Sequence, residues 1–465
     1  MYKKIEGVLN DILKFKVSKE KVDKFNFYSI AIYMFLMMIP RFLYEIVKDY
    51  GIENIFYTIV IIFMLPFIYT FIYNIKNKYH KNSFDFILMS LYLLIVFISM
   101  MLSDNPFKCF EGSFGRKDGF ITLISYYLIY VNSRNINKSE DVIKVIKIFF
   151  VYVIIGTIYA FIDAYLPETF ITTKAYAHMG YGLSANPNFF GTYTMMFSII
   201  GLTICLFKEN SNFFIACTII SYIGLLLGES TGPFASFVFV LIYLLFYTFI
   251  KRKDLINKMI IWLSIFVSLY AIINYSSVYV NRNIYHLDVD ERSTIQGNVG
   301  SVFVLISKNL FNLESTKINN KKELDFIISN RFEVWESVWK RTLDDHNLLL
   351  GCGIDNLSIY RVMGVDENKS LAFYKIDKAH NVYLNIIAET GIISLIIYLV
   401  WIVYIHIKAI KSKNKLVHLL LIAFIGYNIQ AIFNINVIYV MPYYYIFSGI
   451  IIGLSEGDKN ETGEY

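Results

Sequence analysis

Residues 84–103 read FDFILMSLYLLIVFISMMLS, with a single charge, Asp85, beside the first residue. A helix rises 1.5 Å per residue, so about 20 residues cover the roughly 30 Å hydrocarbon core of a bilayer. Lipid offers the backbone no hydrogen-bonding partner, so an apolar stretch of that length spans as a helix. The same reading recurs along the chain near 27–47, 55–75, 119–132, 147–166, 187–207, 213–228, 233–250, 259–278, 381–407, 416–433 and 437–454. Apolar residues make up 56% of the 465 and charged ones 17%, against about 25% charged in a soluble domain. Mean hydropathy is +0.51. These blocks predict an all-α polytopic membrane protein of about 12 transmembrane helices.

Flanking charge orients the helices. With the N-terminus inside, 24 of the 43 Lys and Arg fall on the cytoplasmic segments and only five (Lys48, Lys108, Arg116, Lys117 and Lys174) on the short outer ones. The positive-inside rule weighs short loops and excuses long ones, such as the stretch 279–379 with its 13 cations. The net charge of +6 is therefore a topology signal and gives no reason to expect nucleic acid. The expected organisation is an amphipathic cytoplasmic segment at 1–26, helices one to nine over 27–278, a large extracytoplasmic loop at 279–379, helices ten to twelve over 380–454, and a cytoplasmic tail at 455–465. Both termini then face the cytoplasm, and the location is the cell membrane. In the first segment Ile5, Val8, Leu9, Ile12 and Leu13 recur at helical spacing among lysines, as in a helix lying on the inner leaflet. No cleavable signal peptide is visible, since the first apolar run begins too late and is too long.

The large loop is too long to be a simple connector. Its middle, about 325–344, reads as a helix, with Phe332, Trp335, Trp339 and Leu343 at helical spacing and a tight turn at Gly351 and Gly353. The four cysteines fit no metal spacing. Cys109 and Cys352 both fall on the outer side, so a disulfide between them is open.

No zinc-protease, P-loop, nucleophile-elbow or paired-aspartate magnesium motif is present. Charges inside the spans are few: Arg41, Glu45, Asp163 and Glu389. A proton-coupled transporter ordinarily has more. Four polar clusters remain at outer ends of spans. Gly115-Arg116-Lys117-Asp118-Gly119 suits a phosphate near the lipid surface, or is a solvated loop. Asn186-Pro187-Asn188 suits ligand contact, or caps a helix that begins with proline. Arg331, followed by Trp335, suits a phosphate, or pairs with Glu333 or Asp344. His380-Asn381, where the loop meets a span, offers a base with an ordinary pKa of about 6.5, or is structural. Glu389 lies about 13 Å further along the helix, too deep to orient His380.

In this order, the clusters resemble the O-antigen ligase and O-antigen polymerase superfamily of membrane glycosyltransferases, over about 84–400. The resemblance rests on Gly115-Arg116-Lys117-Asp118-Gly119, Asn186-Pro187-Asn188, Arg331 with Trp335, Gly351-Cys352-Gly353, His380-Asn381-Val382-Tyr383-Leu384 and Glu389-Thr390-Gly391. It implies a GT-C-like helical fold and no cofactor or metal. It implies inverting transfer of a glycan from an undecaprenyl-pyrophosphate carrier to a hydroxyl of a glycan, lipid or wall acceptor. By the same resemblance His380 is the base, Arg116 and Arg331 hold the pyrophosphate, and Lys117, Asn186, Asn188 and Asn381 line the substrate. One feature departs from the pattern: where many members carry Ser-Arg-Gly, this chain has Glu229-Ser230-Thr231-Gly232-Pro233. Arg41, Lys48, Lys117 and Lys174 are the candidate replacements for the missing arginine. The rival reading is a secondary transporter or lipid-linked oligosaccharide flippase. Against it stand the lack of internal repeats and the histidine at the loop junction.

Overall fold

The computed structural model describes residues 18–44, 51–77, 83–166, 179–184, 186–208, 211–283, 331–344, 348–365 and 371–462. The amphipathic pattern of residues 5–13, the candidate cations Lys48 and Lys174, and most of the large loop lie outside these residues.

The protein is an all-α polytopic membrane protein, and each of the apolar blocks coincides with a helix. The helices are α1 (Lys19–Leu36), continued by α2 (Ile39–Tyr44), then α3 (Ile52–Lys76), α4 (Phe84–Met101) and the short α5 (Pro106–Glu111). They continue as α6 (Phe120–Ser133), α7 (Ser139–Tyr165), α8 (Pro187–Phe207), α9 (Asn212–Leu227), α10 (Thr231–Lys251) and α11 (Ile256–Asn283). The loop supplies α12 (Arg331–Asp344) and a hairpin of β1 (Ile359–Val365) and β2 (Leu371–Ile376). The chain closes with α13 (Val382–Lys411), α14 (Lys415–Gln430) and α15 (Met441–Thr462). Among the described residues nine helices are long and apolar enough to cross a membrane, while α6 and α9 are apolar but shorter.

Two helices form the heart of the bundle. Nearly every residue of α8 is buried, and so is α15 through Ser455. The outer helices instead turn large apolar side chains outward, such as Leu65 on α3 and Phe249 on α10. Apolar exposure on that scale would be unfavourable in water and is what a lipid-facing surface requires. One end of the bundle is latched by Arg134, fully buried at the C-terminus of α6. Its guanidinium reaches Asp85 at 2.9 Å, Glu456 at 2.8 Å and the Ser83 hydroxyl at 2.7 Å. The tail expected from 455 thus begins as helix and is tied in by Glu456. Likewise α1 starts at Lys19, inside the segment expected to precede the first span, with Val22 and Asn26 buried.

At the opposite end, consecutive helix ends are stitched together. Gly180 N–H donates to Leu227 O at 2.7 Å, Tyr439 OH donates to Glu53 at 2.8 Å, and Tyr383 OH donates to Asn428 O at 2.8 Å. The loop elements dock here. A small apolar cluster of Val338, Leu357, Ile376, Ala379 and Ala388 seats α12 and the hairpin on the first turns of α13. The loop helix α12 buries Val338 and Thr342, while Trp339 and Leu343 point outward. Trp335 does pack inward, 6.3 Å from the Phe433 ring. The hairpin is antiparallel, pairs Ile359 with Ile376, and has a bulge between Val362 and Gly364.

Candidate active site

The site is built around the start of α13. Asn381 caps this helix by accepting the N–H groups of Tyr383 (3.0 Å) and Leu384 (3.1 Å). The residue before the cap, His380, is held at φ +51°, in the left-handed region that L-residues rarely adopt. Lys117 and Asp355 share that feature. Backbone held in such sparsely populated regions persists only where surrounding contacts impose it.

Those contacts begin deeper in α13. The helix breaks at Gly391, whose φ is +85°. The break exposes the carbonyls of Ala388 and Glu389, which accept Cys352 N–H (3.0 Å) and Gly353 N–H (2.8 Å). Ile392 N–H closes the junction on Leu348 O at 2.8 Å. A Cβ on Gly391 would lie 1.9 Å from Leu349 O, and one on Gly351 2.3 Å from the Glu389 carbonyl carbon. The Gly-x-Gly turn and the Glu-x-Gly break are therefore two halves of one joint, which fixes the loop to the helix. Cys109 lies under the turn beside Gly353, and both Cys109 and Cys352 are free thiols.

Above the joint sits a buried ionic hub. Lys378 Nζ lies 3.0 Å from Glu389, 3.1 Å from Asp355 and 3.5 Å from Asp118. Asp355 also accepts the Ser113 backbone N–H (2.6 Å) and hydroxyl (3.0 Å). One lysine thereby ties α13, the turn after Gly353 and the loop 112–119 together. Burial pushes the Asp118 carboxyl up to about 7 against the pull of Lys378. Burial alone would lower the Lys378 pKa, but its three carboxylates hold it well above the usual value.

The hub sets Arg116 beside His380. Arg116 makes a two-pronged pair with Asp377, Nε donating at 2.8 Å and Nη2 at 3.2 Å. Both residues line a cleft of about 490 Å³, with Lys108, Lys375, Ser113 and the exposed ring of Phe114. Arg331, at the first turn of α12, makes no ion pair with Glu333 or Asp344 or with any other described residue; burial lowers its pKa to about 10. Burial first, then Arg331 and Arg116, push the His380 imidazole down to about 4, while Asp377 acts in the opposite direction. Two guanidiniums, one carboxylate and one neutral imidazole thus share one neighbourhood. Such a group can bind a polyanion and accept a proton.

Other residues expected at the site have different partners. Lys117 turns toward Glu111 (3.6 Å) and lies 5.1 Å over the Tyr57 ring. Asn186 caps α8 by accepting Asn188 N–H at 2.9 Å. Asn188 accepts the Ser230 hydroxyl, so the Asn-Pro-Asn turn and the Glu-Ser-Thr-Gly turn face each other. Arg41 sits 4.0 Å from Asp163, whose other oxygen accepts Tyr181 N–H at 3.1 Å. Sequence reasoning assigned no role to Lys378, Asp377, Asp355 or Lys108. Lys378 and Asp377 stand next to the His-Asn motif, but a charged residue in an outer loop reads as solvated until its partners are known.

No curated protein matches the chain. Residues 216–399, which include Arg331, Lys378, His380 and Glu389 but not the Arg116 loop, match the model of a family described as O-antigen ligase. By this match residues 216–399 resemble the O-antigen ligase family.

Proposed function

We propose that the protein transfers a glycan from an undecaprenyl-pyrophosphate carrier to an acceptor hydroxyl on the outer face of the cytoplasmic membrane, with inversion and without a metal. The O-antigen ligase family that residues 216–399 match supports a membrane glycan transfer of this type. The observation that carries the finer reading is the meeting of Arg116, Arg331 and His380 from three distant segments, the first and last tied by the Lys378 hub and α12 seated by the apolar cluster around Val338. Arg331 supports it most directly, since a half-buried guanidinium with no carboxylate among the described residues suits an incoming anion.

In this reading the two arginines hold the pyrophosphate and His380 faces the acceptor. The acceptor hydroxyl gives its proton to the imidazole as its oxygen bonds to the anomeric carbon from the side opposite the phosphate. The bond from that carbon to the phosphate oxygen breaks, and its electron pair leaves with the carrier pyrophosphate. The products are the new glycosidic bond, undecaprenyl pyrophosphate and a protonated His380. Pyrophosphate is already a good leaving group, so positioning, charge neutralisation and one proton acceptor supply what the step needs.

The test is purified protein in detergent, given an undecaprenyl-pyrophosphate-linked oligosaccharide and assayed for a polymer ladder or a new conjugate. His380→Ala is expected to lower turnover by about 10²-fold or more while leaving binding of the carrier nearly intact. A fully active His380→Ala enzyme refutes the assignment of the base.

A further inference from the structure

The Arg116 fork is not empty. Its Nε and Nη2 donate to the two oxygens of Asp377 at 2.8 and 3.2 Å, the same parallel geometry with which a guanidinium takes two phosphate oxygens. A pyrophosphate bound to Arg116 in this way and the Asp377 carboxylate need the same two N–H groups. They exclude each other.

The surroundings show where Asp377 is free to go. Its side chain is 38% exposed at the cleft, whereas the next residue, Lys378, is 1% exposed and pinned by three carboxylates. The backbone is therefore anchored, and the Asp377 side chain turns about it. His380 follows three residues later, and its ring has no hydrogen-bond partner among the described residues. The charged groups acting on that ring are Arg331 from α12, Arg116 from the loop 112–119, and Asp377 from its own segment. Asp355, Asp118 and Glu389 are occupied by Lys378, and Asp377 is the carboxylate that, among the described residues, acts on the imidazole.

We propose that Asp377 is a positioning residue with two successive partners: it fills the Arg116 fork in the donor-free site, and once a pyrophosphate takes that fork its displaced carboxylate accepts a hydrogen bond from the His380 ring. The inference rests on the proposed function. In the transfer step one ring nitrogen of His380 takes the acceptor's proton, and the other N–H is held by Asp377, which stays ionised throughout. Donor binding thus orients the base, and a site without donor has its arginine satisfied.

The two roles oppose each other in one variant. Asp377→Asn keeps the size but loses the charge that competes for Arg116 and that supports a protonated His380. Binding of undecaprenyl pyrophosphate in detergent, measured by calorimetry, is expected to become about tenfold tighter. The saturated rate of transfer from the lipid-linked oligosaccharide is expected to fall about tenfold or more. A purely structural residue would weaken both. Unchanged binding, or weaker binding, overturns the proposal, as does tighter binding with an unchanged saturated rate. Should Asp377→Asn fail to extract as folded protein, Asp377→Ser is read in the same way. Arg116→Ala separates this proposal from the reading beneath it: normal affinity for undecaprenyl pyrophosphate in that variant removes Arg116 from the site and the proposed function with it.

Discussion

Replacing Lys378 with methionine tests whether the hub holds the site together. The substitution keeps an unbranched side chain of similar reach and removes the cation that, among the described residues, pairs with Glu389, Asp355 and Asp118 together. Removing one partner of a buried pair typically costs about 3–5 kcal/mol, because the remaining charge is left without compensation. Here the lower end applies, since Asp355 keeps two hydrogen bonds from Ser113. Hydrogen bonds to charged groups are worth about 1.5–3 kcal/mol each. The cost should also depend on pH. Asp118, already raised by burial, loses with the lysine the pull that lowers it, so its folded pKa stays above its unfolded one. Stability is then retained in acid and lost as pH rises through that raised value. Asp118 already titrates at about 7 in the intact hub, so the window falls between about pH 5 and 8. Thermal unfolding in detergent reads the total loss, and the reactivity of Cys109 reads the local one, because this buried thiol lies under Gly353. Lys378→Met should unfold earlier at pH 8 than at pH 5 and expose Cys109 to thiol reagents at pH 8. A variant as stable as wild type at pH 8, or a deficit that does not shrink in acid, would refute the hub's role.

Two further outcomes follow from the geometry. Gly391→Ala should be strongly destabilising by thermal unfolding, by about 1–3 kcal/mol from the left-handed backbone alone, with a further cost from a Cβ placed 1.9 Å from Leu349 O; a neutral variant would mean that the joint is not formed as described. In pH profiles, kcat/KM reports the free enzyme and kcat the donor complex. His380 is depressed to about 4 without donor, so its basic form persists down to about pH 4 and the kcat/KM limb should lie there. The pyrophosphate would offset Arg331 and Arg116, and the kcat limb should move up toward the ordinary value; coincident limbs would deny the donor a place beside His380.

The helices were legible because lipid leaves an apolar stretch one option, and the residues 84–103 illustrate it: the helix runs Phe84–Met101. The hairpin was missed although its signal is present. Residues 359–365 and 371–376 are rich in β-branched and aromatic residues and flank the polar run Asp366-Glu367-Asn368-Lys369-Ser370. In a chain read for spans, that pattern passes as loop. Trp339 and Leu343 announced the loop helix correctly but not its covered side. Helical spacing shows which residues share a face but not which face is covered, and here Val338 and Thr342 take the covered side. Outward-facing Trp and Leu on a loop helix are compatible with a membrane interface, where such rings are enriched.

The candidate site divides along a physical line. Arg116 and His380 stood out in the sequence because their motifs carry local backbone requirements, namely the glycines flanking Arg116 and the capping Asn381 after His380. Lys378, Asp355 and Asp377 did not, because their partners are set by the tertiary fold. The distance from Lys378 to Asp118 is 260 positions along the chain but 3.5 Å in space. The capping residues taught the converse. Asn186 was read as either a cap or a ligand contact and Asn381 as a ligand contact, and each caps a helix N-terminus through its carbonyl oxygen. What these caps contribute is placement: Asn381 fixes where α13 begins, and His380 is then held just outside the first turn, above the hub and facing two guanidiniums. A histidine placed by a helix cap, an ion hub and a glycine joint does not depend on donor for its backbone position. What donor supplies, in the proposed scheme, is charge. It offsets the two arginines that, after burial, hold the His380 pKa down, and releases the Asp377 carboxylate to orient its ring.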